Sequence, residues 1–393
     1  MPKKDGNLNN WFMDKTIFKK LVAVHGPHCI SIYLPRTRTD KDRITLKNQL
    51  AKVQRELIDN YHIDGHDAAS LLQPVTSRLS DSAWWREGGS GIGIFVNNNE
   101  VTTLSLPHQT EPLTYIADHF YLLPLAPIVG EEELRLYVMT LSADEAVLFE
   151  VTPQRIERSS VTAKLPSHLE AVVGRDVKQK SLQYRSGQGE AEGGMFHGHG
   201  SGSEEEKKAE YRKYFRAIDN VLNDTLTDHR QPLVLACVDY LFPLYQQMSR
   251  YPSLYDKPLV GNYDSVKPHE LHDETQKIFD RIRKDRQRHY SEQFQESLNV
   301  KKSSFDPDEI IPGALGGKIE ALFVKKGNGM WGRYDALSDT VQIDTDKRVD
   351  NSSLVNLAAI HTVQNGGRVF TVDEDEMPAP NVTMNAVFRY QAA

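Results

Sequence analysis

Cysteine is scarce in this chain. Two occur in 393 residues, Cys29 and Cys237, each inside an apolar stretch. A disulfide scaffold and a cysteine-based zinc site are thereby excluded, and a reducing compartment is expected. Long apolar runs are missing too: nothing reaches the roughly 18 residues that a membrane-spanning helix needs, and Met1 to Asn7 carries no apolar signal core. The expected location is cytoplasmic, with no membrane partner. Nor is there an excess of positive charge. Lys+Arg number 47 against 54 Asp+Glu, a net charge of -7, which excludes a uniformly basic nucleic-acid coat but leaves room for local basic faces. The Gly-x-Ser-x-Gly elbow, Cys-x-x-Cys, His-Glu-x-x-His and the Gly-x4-Gly-Lys-Ser/Thr phosphate loop are all absent.

What remains is ordinary globular composition, 39% hydrophobic and 26% charged. At roughly 150 residues per domain this length predicts two or three α/β domains. The first is placed at 1–127, a mixed α/β unit. Trp11 to Val24 has the spacing of a helix ended by Gly26-Pro27, Cys29 to Leu34 reads as a strand, and Ile44 to Tyr61 and Asp67 to Leu79 read as helices. Gly91 to Val96 and Val101 to Leu106 predict a hairpin.

The middle domain is placed at 128–300. Strands are expected at Leu134 to Leu141 and Glu145 to Val151, followed by a glycine-rich loop at 173–203 that holds eight of the 25 glycines, where proportional sharing would give about two. A loop of that length inside a domain points to function. Ser203 with Glu206 has capping-box spacing, and Tyr211, Phe215, Ile218, Leu222 and Leu226 mark one buried stripe, so a long helix is predicted over 204–227. Leu233 to Val238 reads as a strand buried on both faces and Gln276 to Phe294 as a charged helix. After a linker at Lys301 to Pro307, the third domain, 301–393, is a small α/β sandwich: strands at Ile319 to Lys325, Trp331 to Tyr334, Thr340 to Ile343, Arg368 to Val372 and Thr383 to Tyr390, with a helix at Asn351 to Val363.

Chemistry-bearing residues are sparse. The alternating His197 and His199 lack third and fourth ligands nearby, so no metal site is expected, and no motif calls for a cofactor. His25, His28, His62 and His66 fall near acidic residues without a matched nucleophile. Basic residues gather in three places: Arg36, Arg38, Lys41, Arg43 and Lys47; the loop's Arg175, Lys178, Lys180 and Arg185; and the charged helix's Arg281, Arg283, Lys284, Arg286 and Arg288. Each cluster suits phosphate, and none interleaves the aromatics used for stacking on single-stranded RNA.

Three stretches carry a resemblance: the glycine loop from His197 to Gly202 entering Glu206-Lys207-Lys208; the strand-helix piece from Pro232 to Pro243; and the C-terminal run Gly366-Gly367-Arg368 through Met377-Pro378 and Ala386 to Tyr390. In order and loop position the chain resembles the archaeo-eukaryotic class 1 release factor and Pelota family, in its bacterial branch with Balon-like ribosome hibernation factors. The resemblance implies that the loop tip, Gly193, Gly194, His197, Gly198, His199, Gly200, Ser201 and Gly202, faces the peptidyl transferase centre. It implies the ribosome as partner, through rRNA and tRNA, and a ribosomal-protein-like C-terminal domain that contacts a translational GTPase such as an elongation factor. The family's hydrolytic Gly-Gly-Gln is not found, because Gly193-Gly194 is followed by Met195, and the stop-codon motif Asn-Ile-Lys-Ser is missing. The expectation is a non-catalytic A-site factor of hibernation or rescue. The alternatives are a peptidyl-tRNA hydrolase using Gln188, His197 or His199, and an RNA-binding stress-response adaptor.

Overall fold

The computed structural model describes residues 11–12, 14–86, 88–98, 100–131, 134–174, 204–226, 231–327 and 329–390. It is a mixed α/β protein with several sheets. The chain divides into two compact units, Met1–Glu133 with Ile282–Ala393, and Leu134–Arg281. Where the sequence reading separates 1–127 from 301–393, both ends of the chain fall within one unit.

The N-terminal segment contains β1 (Trp11–Phe12), α1 (Lys15–Val22), β2 (His25–Pro35), α2 (Asp40–Asp59), α3 (Gly65–Thr76), α4 (Ser82–Arg86), β3 (Gly91–Asn97), β4 (Glu100–Leu106), β5 (Leu113–His119) and α5 (Ala126–Gly130). Its sheet has the order β1-β4-β3-β2-β5. Because side chains alternate across a strand, β2 divides cleanly. Ile30, Ile32 and Leu34 pack with Leu46, Leu50, Val53 and Leu57 of α2, whereas Cys29 and Tyr33 join the core on the other face. The expected hairpin is present, with Asn97 opposite Glu100. Two expectations fail at the start of the chain. The helix begins only at Lys15, after Asp14 caps it by accepting the Ile17 N–H at 2.7 Å, and Trp11–Phe12 pair in parallel with β4 instead. Gly26-Pro27 does not close a helix but lies within β2.

The second unit contains β6 (Leu136–Leu141), β7 (Ala146–Val151), β8 (Ile156–Arg158), α6 (Leu169–Val173), α7 (Glu204–Thr225), β9 (Leu233–Cys237), α8 (Leu241–Gln246), β10 (Leu259–Val260) and the first part of α9 (Pro268–Ser297). The sheet order is β10-β9-β6-β7-β8, with β6, β9 and β10 parallel and β7 and β8 antiparallel. One face packs Tyr137, Met139, Leu141, Leu148, Leu233 and Leu235 against Tyr214, Phe215, Ile218 and Leu222 of α7. On the opposite side of the strands, Val138, Val234 and Ala236 are also fully buried. Helix α9 buries Leu271, Thr275, Ile278 and Phe279, one face at helical spacing, and its His272 Nε2 lies 2.9 Å from the Thr152 carbonyl beyond β7. Burial on both faces is why β9 reads as an unbroken apolar run.

The C-terminal segment contains β11 (Ser303–Ser304), α10 (Pro307–Leu315), β12 (Ile319–Lys325), β13 (Trp331–Asp335), β14 (Thr340–Asp344), β15 (Ser352–Ser353), α11 (Leu354–Gln364), β16 (Arg368–Val372) and β17 (Met384–Phe388), in sheets β11-β17-β12-β16 and β14-β13-β15. The expected linker is a correction: Pro307 is not a breaker but the first residue of α10, capped by Asp306, which accepts the Asp308 N–H at 3.0 Å. Its Ile310, Ile311 and Ala314 join the core that also holds Phe18, Leu122 and Leu354. Within that core the fully buried Asn356 accepts the N–H groups of Leu122 and Leu123 at 2.7 and 2.9 Å and donates to the Phe120 carbonyl at 3.1 Å. It thereby satisfies three backbone groups that would otherwise be stranded.

Candidate functional site

The site with the clearest geometry lies in the second unit, at the carboxyl ends of its parallel strands, where open α/β sheets characteristically bind ligands. A cavity of about 480 Å3 opens there. It is lined by Asp144 and Glu145 from the β6–β7 turn, Arg158 from β8, Tyr211 from α7, and Tyr240 and Tyr263 beyond β9 and β10. The turn is held by Ser142, whose Oγ accepts the N–H groups of Asp144 and Glu145 at 3.2 Å. Arg158 reaches Glu145 at 3.3 Å with both side chains more than half exposed. Burial, then the neighbouring Tyr240 hydroxyl, pushes the Tyr211 phenol up to about 12. That phenol is therefore a neutral hydrogen-bonding group at physiological pH rather than a base or nucleophile. Chemically this is a recess for binding. Among the described residues, no group of three His, Cys, Asp or Glu side chains is set to hold a metal.

The cavity adjoins the root of the glycine-rich loop. Leu169, the first residue of α6, donates its N–H to the carbonyl of the cavity residue Ala143 at 2.9 Å. Leu169 and Val172 pack on the α7 core. Gly174 ends α6 with φ +81°, a conformation natural to glycine and strained for other residues. The loop candidates Arg175, Lys178, Lys180, Arg185, Gly193, Gly194, His197, Gly198, His199, Gly200, Ser201 and Gly202 lie outside the described residues, as does Ser203 of the expected capping box.

The basic residues of α9 separate by partner. In the second unit Arg281 is exposed, its guanidinium 6.0 Å from the Tyr255 ring centre. Lys277, also exposed, lies one turn before it on the same helix face. The i,i+4 spacing was the signal for Lys277, and the sequence reading passed over it. In the other unit Lys284 is exposed and Arg288 pairs with Asp285 at 2.6 Å. Arg283 requires a correction. It is not an exposed cation: its Nε and Nη2 grip both oxygens of Glu131 at 2.7 and 2.9 Å, with only 19% and 13% of the two side chains exposed. Arg286 is half-buried. Arg36, in the N-terminal cluster, is also buried, lying 5.5 Å from the Trp84 ring centre.

Residues 136–281, nearly the whole second unit, match bacterial archaeo-eukaryotic release factor family 7. The similarity to this family is one of the second unit, 146 of the chain's 393 residues. No curated protein matches. Solved structures align along most of the chain with low identity. The archaeal translation termination factor aRF1 is 13% identical, covering 95% of this chain and 96% of its own, with a TM-score of 0.24. Ribosome-bound archaeal Pelota with ABCE1 is 9% identical over 75% and 73%, with a TM-score of 0.35. S. cerevisiae Dom34, a translation termination-like factor of RNA quality control that interacts with Hbs1, is 11% identical over 77% and 80%, with a TM-score of 0.31.

Proposed function

We propose that this protein is a ribosome-binding translation factor that occupies the A site during hibernation or rescue without catalysing peptide release. The observation that carries the reading is the family match over 136–281, the segment that contains the glycine-rich loop and its packed root. The two helices that flank the glycine-rich segment, α6 and α7, pack into one core, and a glycine-rich segment suits a probe of a narrow, RNA-lined space, where glycine avoids the clash of bulkier side chains. Loss of Gly-Gly-Gln supports a role without hydrolysis. Arg281, Lys284 and Arg288, with the loop's Arg175, Lys178, Lys180 and Arg185, supply phosphate contacts. The partners proposed are the ribosome, through rRNA and tRNA, and a translational GTPase.

Cosedimentation with ribosomes from stationary-phase cells tests the reading: the protein should pellet with the monosomes, and its absence from that peak under every growth condition would remove the idea. Release of labelled peptide from ribosomal complexes should stay at background. Release that is lost on Gln188→Ala or His199→Ala would replace this reading with the hydrolase.

A further inference from the structure

We propose that Arg38, Arg43 and Arg86 form a second RNA-phosphate site, in the N-terminal segment and separate from both the loop and α9. The three arginines line one cavity of about 350 Å3 together with Thr39, Ser82 and Trp85, a volume near the small end of ligand pockets. Among the described residues each guanidinium is steadied by a single hydrogen bond: Arg38 Nη2 to the Gly88 carbonyl at 3.2 Å, Arg43 Nη2 to Ser82 Oγ at 3.2 Å, and Arg86 Nε to the Ser82 carbonyl at 3.1 Å. The rest of each fork's five donors stays open to an incoming anion.

Convergence without pairing is what sets these residues apart. Several arginines are matched to carboxylates, as in Arg78 with Asp81 at 2.9 Å, Arg283 with Glu131 at 2.7 Å and Arg348 with Asp344 at 2.6 Å, and others, such as Arg389, bond backbone carbonyls singly. Among the described residues none of Arg38, Arg43 and Arg86 has an ion-pair partner. Two carboxylates also line the cavity. Asp42 is 2% exposed and occupied, accepting the Thr37 hydroxyl at 2.5 Å and the Arg38 N–H at 2.8 Å, so it fixes the loop that carries Arg38. Asp40 is the remaining carboxylate, exposed at the start of α2. Three guanidinium groups against two carboxylates leave the cavity lining net positive, and a phosphate meets that charge while matching their fork geometry.

A polymer is favoured over a free anion because the positive charge continues past the cavity. Lys47, exposed, lies one turn beyond Arg43 on α2. Trp85 forms a wall and not a stacking platform, since it is buried and its indole N–H is committed to the Arg78 carbonyl at 3.0 Å. Base-independent binding follows.

The choice of RNA rests on the ribosomal reading above, and the experiment separates the two. Anisotropy of a fluorescent single-stranded oligouridylate is measured against the full chain over a salt titration, for wild type, for Arg43→Gln/Arg86→Gln and for Arg38→Gln, with circular dichroism to establish that each is folded. Loss of two phosphate contacts should weaken binding about tenfold and lower the logarithmic salt slope by about 1.4. Unchanged affinity and slope in the folded variants would overturn the proposal. Inorganic phosphate is the second probe: if wild type binds it and the double variant does not, while oligouridylate binding is unaltered, the cavity is a free-anion site and the RNA assignment falls. Wild-type pelleting with ribosomes decides the ribosomal reading independently of either result.

Discussion

Replacing Arg283 by alanine should destabilise the unit it sits in, and this determines how any test of RNA binding by α9 must be designed. Both partners are largely buried, and the contact is bidentate at 2.7 and 2.9 Å. Removing one member leaves the Glu131 carboxylate in a poorly solvated place with neither of its donors. For fully buried pairs that loss is about 3 to 5 kcal/mol. The 19% and 13% residual exposure lets water replace part of the interaction, so about 2 to 3 kcal/mol is expected here. Arg283→Glu should cost more, because it sets two carboxylates together. The assay is urea denaturation followed by tryptophan fluorescence, which reports on the right unit: Trp11, Trp84, Trp85 and Trp331 all fall within its span. Glu131→Gln/Arg283→Ala should recover part of the loss, giving a coupling of about 1 to 2 kcal/mol. A single Arg283→Ala within about 0.5 kcal/mol of wild type would refute the reasoning and return Arg283 to the set of cations available to phosphate. If the loss is found, charge reversal belongs at Lys284 and Arg288, where exposed helix charges contribute little to stability.

Asn356→Leu should cost about 3 kcal/mol in the same urea assay, since it leaves the N–H groups of Leu122 and Leu123 and the Phe120 carbonyl buried without partners; a loss below about 1 kcal/mol would show that the chain re-satisfies them locally. Burial pushes the thiols of Cys29 and Cys237 up to about 11 and about 12, so the native protein should resist an aromatic disulfide reagent near pH 8, and the two thiols should label separately as each unit unfolds. Rapid labelling of native protein would contradict that burial. Burial also lowers the pKa values of His28 and His361 from 6.5, so below about pH 6.5 the unfolded chain binds protons that the folded chain resists, and stability should fall as pH drops through that point. Thermal melts across this range check the sign, and His361→Gln should flatten the decline.

Elements with an unbroken apolar run or a regular apolar stripe were legible in the sequence because that pattern is local. Strand β9 is five consecutive buried residues, and α7 repeats its buried stripe at Phe215, Ile218 and Leu222. Failures came where one residue type has two structural uses. Pro307 ends an element if read alone but begins α10 once Asp306 is seen capping it. Strand β5 went unread: it follows Pro112 and has only three consecutive buried residues, Tyr115 to Ala117. The cavity beside the loop root was beyond local reading, since Asp144, Arg158, Tyr211 and Tyr263 come from four separate stretches.

Cation count was the weakest guide, for a physical reason. A run such as Arg281, Arg283, Lys284, Arg286 and Arg288 has the same composition whether its charges face solvent or carboxylates, and the partner that removes Arg283 from the count is 152 residues away. Arg36 leaves the N-terminal cluster in the same way, by burial against Trp84. Conversely Arg86 was not grouped with that cluster, yet it shares a cavity with Arg38 and Arg43. Phosphate affinity depends on donors that are exposed, unpaired and mutually close, because only those release counterions without first breaking an internal bond. For a chain with a net charge of -7, binding to RNA therefore requires that the unpaired cations be concentrated in a few places while the acidic surface is kept elsewhere. The arginines around Ser82 satisfy the first part of that condition, with Asp40 the exposed carboxylate that shares their cavity, and the arginines of α9 satisfy it only in part.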